Sequence, residues 1–472
     1  MIVRCLENSE SRLCRKLYYW RGFLGIFFLK CPSMLAFAFR NEPSPYSTPL
    51  PRGERDRGKA GSRKITQLQL QTETSQMSVH DFSLQLSELA QADLLRTRRI
   101  IDGPQDAAML VDGKRVMAYA SNDYLGLANH PRVVEAAMRA LKRYGLGAAA
   151  SHMVSGHMRA HHELEEKLGD YIGLPKALLF SSGYMANMGI LTALAGRGDT
   201  IFADKLNHAC LNDGALLSRA TFKRYPHCNM VKLEAMLAES KGAGRKLIVT
   251  DAVFSMDGDI APLPELLKLA ETYDAVLVID DAHGFGVLGY RGKGSLEHFN
   301  LKSDRIVYMA TLGKAAGGYG AFVAGCEDIV EWILQSARTY IFTTATPPAI
   351  AAAMQASLEV MQEDRERLKH LRMLIDFFGD SLKLQFAKLP YSQTAIQPIM
   401  IGDNATTMAF TDALRERHMF VPAIRPPTVP KGTARLRVSI TAAHTADDLF
   451  DLITALTDLE VELMGNVEHQ RK

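Results

Sequence analysis

Residues 275–289 read AVLVIDDAHGFGVLG, an apolar, β-branched run that passes directly into two carboxylates, a histidine and three glycines. A short apolar run without polar interruption fits a strand buried on both faces, as in parallel sheets. The turn residues after it set Asp280, Asp281 and His283 at one sheet edge. A second run, RIVYMATLGKAAGG at 305–318, repeats the pattern and leaves Lys314 on a glycine-rich turn. Strands are expected at 177–180, 200–203, 246–250, 275–279, 305–310 and 320–324, with helices between them: an α/β fold with a mainly parallel sheet covered on both faces. The clearest helix spans about 132–144. Pro131 suits its first turn, Val134, Met138 and Leu141 form one face, and Gly145 is able to end it. Another helical stretch near 349–386 leads into a smaller region of mixed strands and helices. No internal repeat is evident.

Ligands of open parallel sheets gather at the carboxyl ends of strands, so the residues following each run are the candidates for chemistry. A lysine on a flexible stem beside small residues suits Schiff-base formation and proton transfer, the role expected of Lys314. Asp280 or Asp281 would supply a carboxylate able to keep a heterocyclic nitrogen protonated. In SSGYMANMG, Gly183 and Tyr184 would open a helix whose free N–H groups hold a phosphate. His208, in DKLNHACL, would follow another strand and stack on a flat ring, and Ser255, in FSMDGD, would bond a ring substituent or shape a turn. Taken singly, each has an ordinary reading as a surface lysine, a helix cap or a core histidine. Their occurrence in chain order, all at strand ends, argues for one cofactor site.

The chain has 472 residues, a formal net charge of +3 and 47% hydrophobic content, enough for a large core and two or three domains. Residues 1–76 hold 13 Lys and Arg against 6 Asp and Glu; the rest is net −4, which does not supply the basic field of a nucleic-acid binder. Six scattered cysteines lack a CxxC pair or a histidine spacing that announces zinc, so reduced thiols and no metal are expected.

The first 76 residues differ in character. The apolar run 18–29 is interrupted by Arg21 and is too short for a membrane span, and its flanks make a poor signal peptide. Residues 41–64, rich in Pro, Gly, Ser and Arg, are expected to be disordered. Met77 is the expected natural start, opening an amphipathic helix with Phe82, Leu84, Leu86, Leu89, Leu94 and Leu95 as its apolar positions.

The strings SNDYLGL (121–127), SSGYMAN (181–187), NHACLNDGA (207–215), VFSMDGDIAPL (253–263), IDDAHGFGVLG (279–289) and TLGKAAGG (311–318) resemble the α-oxoamine synthases, a family of fold-type I pyridoxal-phosphate enzymes. The likeness runs from about residue 90 to 465. It implies a large cofactor domain (116–350) with a mainly parallel seven-stranded sheet, a smaller α+β domain (351–472), and a helical segment (77–115) after the 1–76 extension. It implies pyridoxal 5'-phosphate bound through Lys314, with Asp280 at the pyridine nitrogen, His208 on the ring, His283 and Ser255 at its 3-oxygen, and Gly183, Tyr184 and Thr311 near the phosphate. Arg96 and Thr428 would lie near the substrate, with Arg425 as the carboxylate clamp. The string AIRPPTVPKGTARLRVSITAAH (423–444) most resembles members that join L-alanine to a pimeloyl thioester, pimeloyl-CoA or pimeloyl-ACP; members that take glycine are the alternative. A cytoplasmic homodimer without membrane attachment is implied, Thr343, Thr344 and Thr428 reaching the neighbouring subunit. Two residues depart from the family pattern: His152, in GLGAAASHMVSGH, and Asp251, where many members have Glu. Both are expected to lie away from the cofactor.

Overall fold

The structure, a computed structural model, describes residues 79–242 and 244–465. The expectations for residues 1–76 lie outside them. Three short strands come first, β1 (Ile101–Asp102), β2 (Ala108–Val111) and β3 (Lys114–Ala118). The central sheet follows with β4 (Lys176–Phe180), β5 (Thr200–Asp204), β6 (Thr221–Tyr225), β7 (Lys246–Asp251), β8 (Ala275–Asp280), β9 (Ile306–Thr311) and β10 (Ala321–Gly325). Its order is β4-β10-β9-β8-β7-β5-β6. Only β10 runs antiparallel to its neighbours. The six runs read from sequence are all present to within a residue at each end. Edge strand β6 went unread because TFKRY carries two basic residues and faces water along most of its length.

Strand alternation separates two cores. Leu277, Ile279, Ile306, Tyr308 and Phe322 pack on one side of the sheet. Their alternates Val278, Val307, Met309, Ala321 and Val323 pack on the other, against the helices Gly183–Leu194 and Ala209–Ser218. Both faces are thus covered, which explains why these strands read as continuous apolar runs.

The helix Pro131–Tyr144 forms as expected, but its face is the reverse of the reading. Val133, Ala136 and Ala140 are buried, while Val134, Met138 and Leu141 are exposed. It lies along the alanine-rich helix Pro348–Glu363, and close approach of two helices favours small residues at the contact. Within the segment 77–115, expected to be helical, strands β1 and β2 form and β3 begins, the last joined in parallel by the C-terminal strand β12 (Met419–Phe420) after β11 (Ile396–Gly402). Only Val79–Gln91 is helical there, with Phe82, Leu84, Leu86 and Leu89 exposed.

The C-terminal region carries a second sheet, β11-β14-β13, where β13 is Ala423–Ile424 and β14 is Ala434–Ser439. Glu460, on the last long helix and only 1% exposed, accepts hydrogen bonds from the N–H groups of Gln385, Phe386 and Ala387 at 2.8, 2.7 and 2.7 Å. Removing this carboxylate would strand three donors, each worth roughly 1–3 kcal/mol when buried and unpaired. Glu460→Ala is expected to lower unfolding stability by about 3 kcal/mol or more in denaturant titration; a loss under about 1 kcal/mol would show that the 385–387 segment is held by other means.

Candidate active site

At the carboxyl edge of the central sheet a cavity of about 200 Å³ is lined by Gly183, Tyr184, His208, Cys210, Asp251, Ser255, Asp280, Ala282, His283, Met309, Thr311 and Lys314. The fold therefore gathers in one place eight residues singled out from separate strings of the sequence. Three others, Arg96, Arg425 and Thr428, gather elsewhere.

Lys314 sits in the loop between β9 and β10, which hydrogen bonds tie closed: Leu312 N–H to Gly320 O and Gly318 N–H to Leu312 O, both 2.8 Å, and Thr311 Oγ1 to Gly320 O at 2.9 Å. Gly317 has φ +70°, and a Cβ there would fall 2.4 Å from the Ala128 nitrogen, so only glycine fits this bend. Lys314 Nζ lies 2.8 Å from His283 Nε2, and His283 Nδ1 lies 2.7 Å from the Tyr124 hydroxyl. Burial, then the positive charges of Lys314 and Arg437, hold His283 well below its ordinary pKa. The neutral ring therefore accepts at Nε2 from the lysine and donates at Nδ1 to Tyr124, whose hydroxyl donates to Asn122 Oδ1 at 3.1 Å. Burial also brings the Lys314 amine down to about 8, against the pull of Asp280.

The choice between Asp280 and Asp281 is decided by alternation. Asp280 faces the cavity, where Asn187 Nδ2 donates to Oδ2 at 2.7 Å and the Ala282 N–H donates to Oδ1 at 3.0 Å. Asp281 points to the opposite core and accepts from Ser295 N–H at 2.6 Å and the Tyr308 hydroxyl at 2.8 Å. Its burial raises it to about 7, and it belongs to the scaffold.

His208 caps the helix Ala209–Ser218, its Nδ1 lying 2.8 Å from Cys210 Sγ, and burial lowers its pKa. Its backbone N–H donates to Asp251 Oδ2 at 2.8 Å. Asp251 thus lines the cavity and braces His208, contrary to the expectation that it lay away from this set. Burial and then Asp280 push its carboxyl well above the usual range. At the far end of the cavity the helix Gly183–Leu194 begins, with Ser182 accepting from Met185 N–H at 3.3 Å. The first N–H groups of such a helix are able to hold an anion; Tyr184, its side chain held by Asp213, and Thr311 line the same cavity.

Arg425 does not reach this cavity. It donates to the Asp93 carbonyl in a separate pocket of about 300 Å³ that also holds Arg96 and Thr428, the last two joined at 3.2 Å. The guanidinium nearer the site is Arg437 on β14, 6% exposed, which sequence reading passed over. Its Nε donates to Ser255 O at 2.6 Å, and its terminal nitrogens reach Asn122 Oδ1 at 3.3 Å and Ser439 Oγ at 2.8 Å. Neighbouring Arg435 is neutralised by Asp257 at 2.5 Å, whereas among the described residues every hydrogen-bond partner of Arg437 is neutral. Asn187, Tyr124 and Asn122 were missed as well; only their place in the matching strings SSGYMAN and SNDYLGL signals them.

Comparisons with known proteins agree with this geometry. The Aminotransferase class I and II family matches residues 114–456. The chain is 55% identical over 376 residues to 8-amino-7-oxononanoate synthase of Methylobacillus flagellatus, covering 80% of this chain and 95% of the relative. A structure of SPT with PLP internal aldimine superposes with a TM-score of 0.77 at 29% identity, covering 81% of this chain and 97% of the other. The 8-amino-7-oxononanoate synthase of Francisella tularensis does so with a TM-score of 0.64 at 30% identity, covering 76% and 99%.

An amine lowered to about 8 is largely protonated at neutral pH, and its reactive neutral fraction grows tenfold per unit until that value is passed. The initial rate at which cofactor-free protein reacts with added pyridoxal phosphate is expected to climb with pH and level off just above 8. A rate still climbing near about 10, where an exposed lysine titrates, would show that Lys314 is not depressed.

Proposed function

Since the chain belongs to the Aminotransferase class I and II family, and its curated relatives carry the name 8-amino-7-oxononanoate synthase, we propose that it condenses L-alanine with a pimeloyl thioester, of coenzyme A or acyl carrier protein. The products are 8-amino-7-oxononanoate, carbon dioxide and the free thiol carrier, a step of biotin biosynthesis. The observation that carries this reading is the convergence of Lys314, Asp280, His208 and a helix N-terminus on one cavity.

The residues fit pyridoxal 5'-phosphate: an amine for its aldehyde, a carboxylate for its ring nitrogen, an imidazole for its face and free N–H groups for its phosphate. When bound, the cofactor supplies a ring able to withdraw the negative charge left at the amino-acid Cα. The protein's own tasks follow from position. Asp280, oriented by Asn187 and the Ala282 N–H, would keep a proton on the ring nitrogen. Lys314 would hold the cofactor through its aldehyde and, with its amine free, would take the substrate Cα proton and later return one. His208 would lie against the ring, and His283 and Ser255 would hold its 3-oxygen. After the new carbon–carbon bond forms and the thiol leaves, the β-keto acid loses carbon dioxide.

Alignment of the labile bond requires a grip on the substrate carboxylate, and we assign it to Arg437 rather than to Arg425. A buried guanidinium with only neutral partners has charge to offer an incoming carboxylate. Arg96, Arg425 and Thr428 fall to the acyl side. A cytosolic homodimer belongs to the proposal, supported by the exposed apolar positions of Val79–Gln91 and Pro131–Tyr144. No helix among the described residues is long and apolar enough to cross a membrane.

Carboxyl-labelled alanine and pimeloyl-CoA test the reading. Labelled carbon dioxide should be released by the wild type and not by Lys314→Ala; turnover of glycine with acetyl-CoA and not of alanine, the label kept in a four-carbon 2-amino-3-keto acid, would redirect the assignment to a 2-amino-3-ketobutyrate CoA ligase. Arg437→Lys is expected to raise KM for alanine about tenfold or more, since roughly 1.4 kcal/mol of lost binding is one decade. Arg425→Lys should leave that KM within about twofold. The reverse pattern would return the carboxylate to Arg425.

A further inference from the structure

Outside this cavity, four histidines and a half-sequestered carboxylate crowd the start of the helix Arg159–Ile172. They come from HMVSGHMRAHHELE, residues 152–165. We propose that His157, His162 and Glu165 bind a divalent transition-metal ion of the zinc class. One ligand atom from each lies within 4.8 Å of the others. His157 Nε2 and Glu165 Oε2 are 3.9 Å apart, too far for a hydrogen bond. Tetrahedral zinc with ligands at 2.0–2.2 Å sets them roughly 3.4 Å from one another, a gap that rotation of the exposed His157 closes.

The hydrogen bonds around the cluster select these three. Glu165, with a side chain 13% exposed, spends Oε1 on the Leu179 N–H at 2.9 Å and turns Oε2 toward His157. His161 is taken: its Nδ1 accepts from Met158 N–H at 3.0 Å and its Nε2 donates to Thr346 O at 2.8 Å. His152 orients the site without binding the ion. Its ring stacks on Tyr340, centroids 4.9 Å apart, and its Nδ1 meets His157 Nδ1 at 3.0 Å. Two ring nitrogens at that distance share one proton. With that proton on His157 Nδ1, the Nε2 lone pair faces Glu165, the outer hydrogen bond that metal-binding histidines commonly make. His162 follows on the first turn of the helix, three residues before Glu165, so both project from one face. Three protein ligands leave a fourth position for water. The spacing alone does not announce zinc because the set combines an imidazole before the helix with a pair at i and i+3 on it.

Zn²⁺ titrated into chelator-treated holoenzyme by calorimetry is expected to fill one site per chain beyond any other it occupies. The double variant His157→Ala/His162→Ala should lose that site, with affinity falling about a hundredfold or more. Both residues are exposed, so unchanged circular dichroism and visible cofactor absorbance should accompany the loss. Cys228→Ser should keep that site, which separates it from the Asp204, His227 and Cys228 group. Co²⁺ in place of Zn²⁺ should give visible ligand-field bands that vanish in the double variant. Equal Zn²⁺ uptake by wild type and double variant, or no uptake by either, overturns the proposal.

Discussion

A carboxylate enclosed at the end of the middle strand of a sheet is unfavourable by several kcal/mol unless hydrogen bonds reach it, and Asp280 imposes that demand on its surroundings. Asn187 and the Ala282 N–H answer it. Asn187 stands one turn into the helix Gly183–Leu194, so the helix that orients the carboxylate also aims its first N–H groups into the cavity. The same Asn187 amide reaches Cys210 Sγ at 3.1 Å, and Cys210 in turn meets the His208 ring. One buried charge thereby fixes where an imidazole face, an anion site and a carboxylate stand relative to one another.

Much of this was legible because the sheet is covered on both faces. Full burial turns each strand into an unbroken apolar string, and the first polar residue after it marks the carboxyl end where ligands bind. Alternation would even have separated Asp280 from Asp281. Val278 and Met309 face the core that holds the helix Gly183–Leu194, and Asp280 keeps that parity, while Ile279 and Tyr308 face the other core, where Asp281 goes. Strand β6 was illegible for the converse reason: at an edge, one side is water and the string need not be apolar.

What stayed hidden was set by distance along the chain. Asp251 orders the backbone of His208, 43 residues away, and Arg437 meets Asn122, 315 residues away; no local pattern encodes either contact. The reversed face of the helix Pro131–Tyr144 has the same origin. Its outer residues are the bulkier ones because an alanine-rich helix lies against its inner side, and a sequence read as an isolated helix assigns the larger apolar residues inward.

Arg435 and Arg437 show how the C-terminal region enters the chemistry. Two residues apart on β14, both project to the hairpin that carries Ser255, and both are nearly sealed from water. Their partners differ in charge: Arg435 has Asp257, while Arg437 has two carbonyl-type oxygens and hydroxyls. A buried cation held only by dipoles is less stable than a paired one, so the fold carries an electrostatic deficit at Arg437. That deficit sits three hydrogen bonds from Lys314, through Tyr124 and His283. An anion entering between them would gain what the scaffold lacks, and the small sheet would then set the angle at which a substrate meets the lysine.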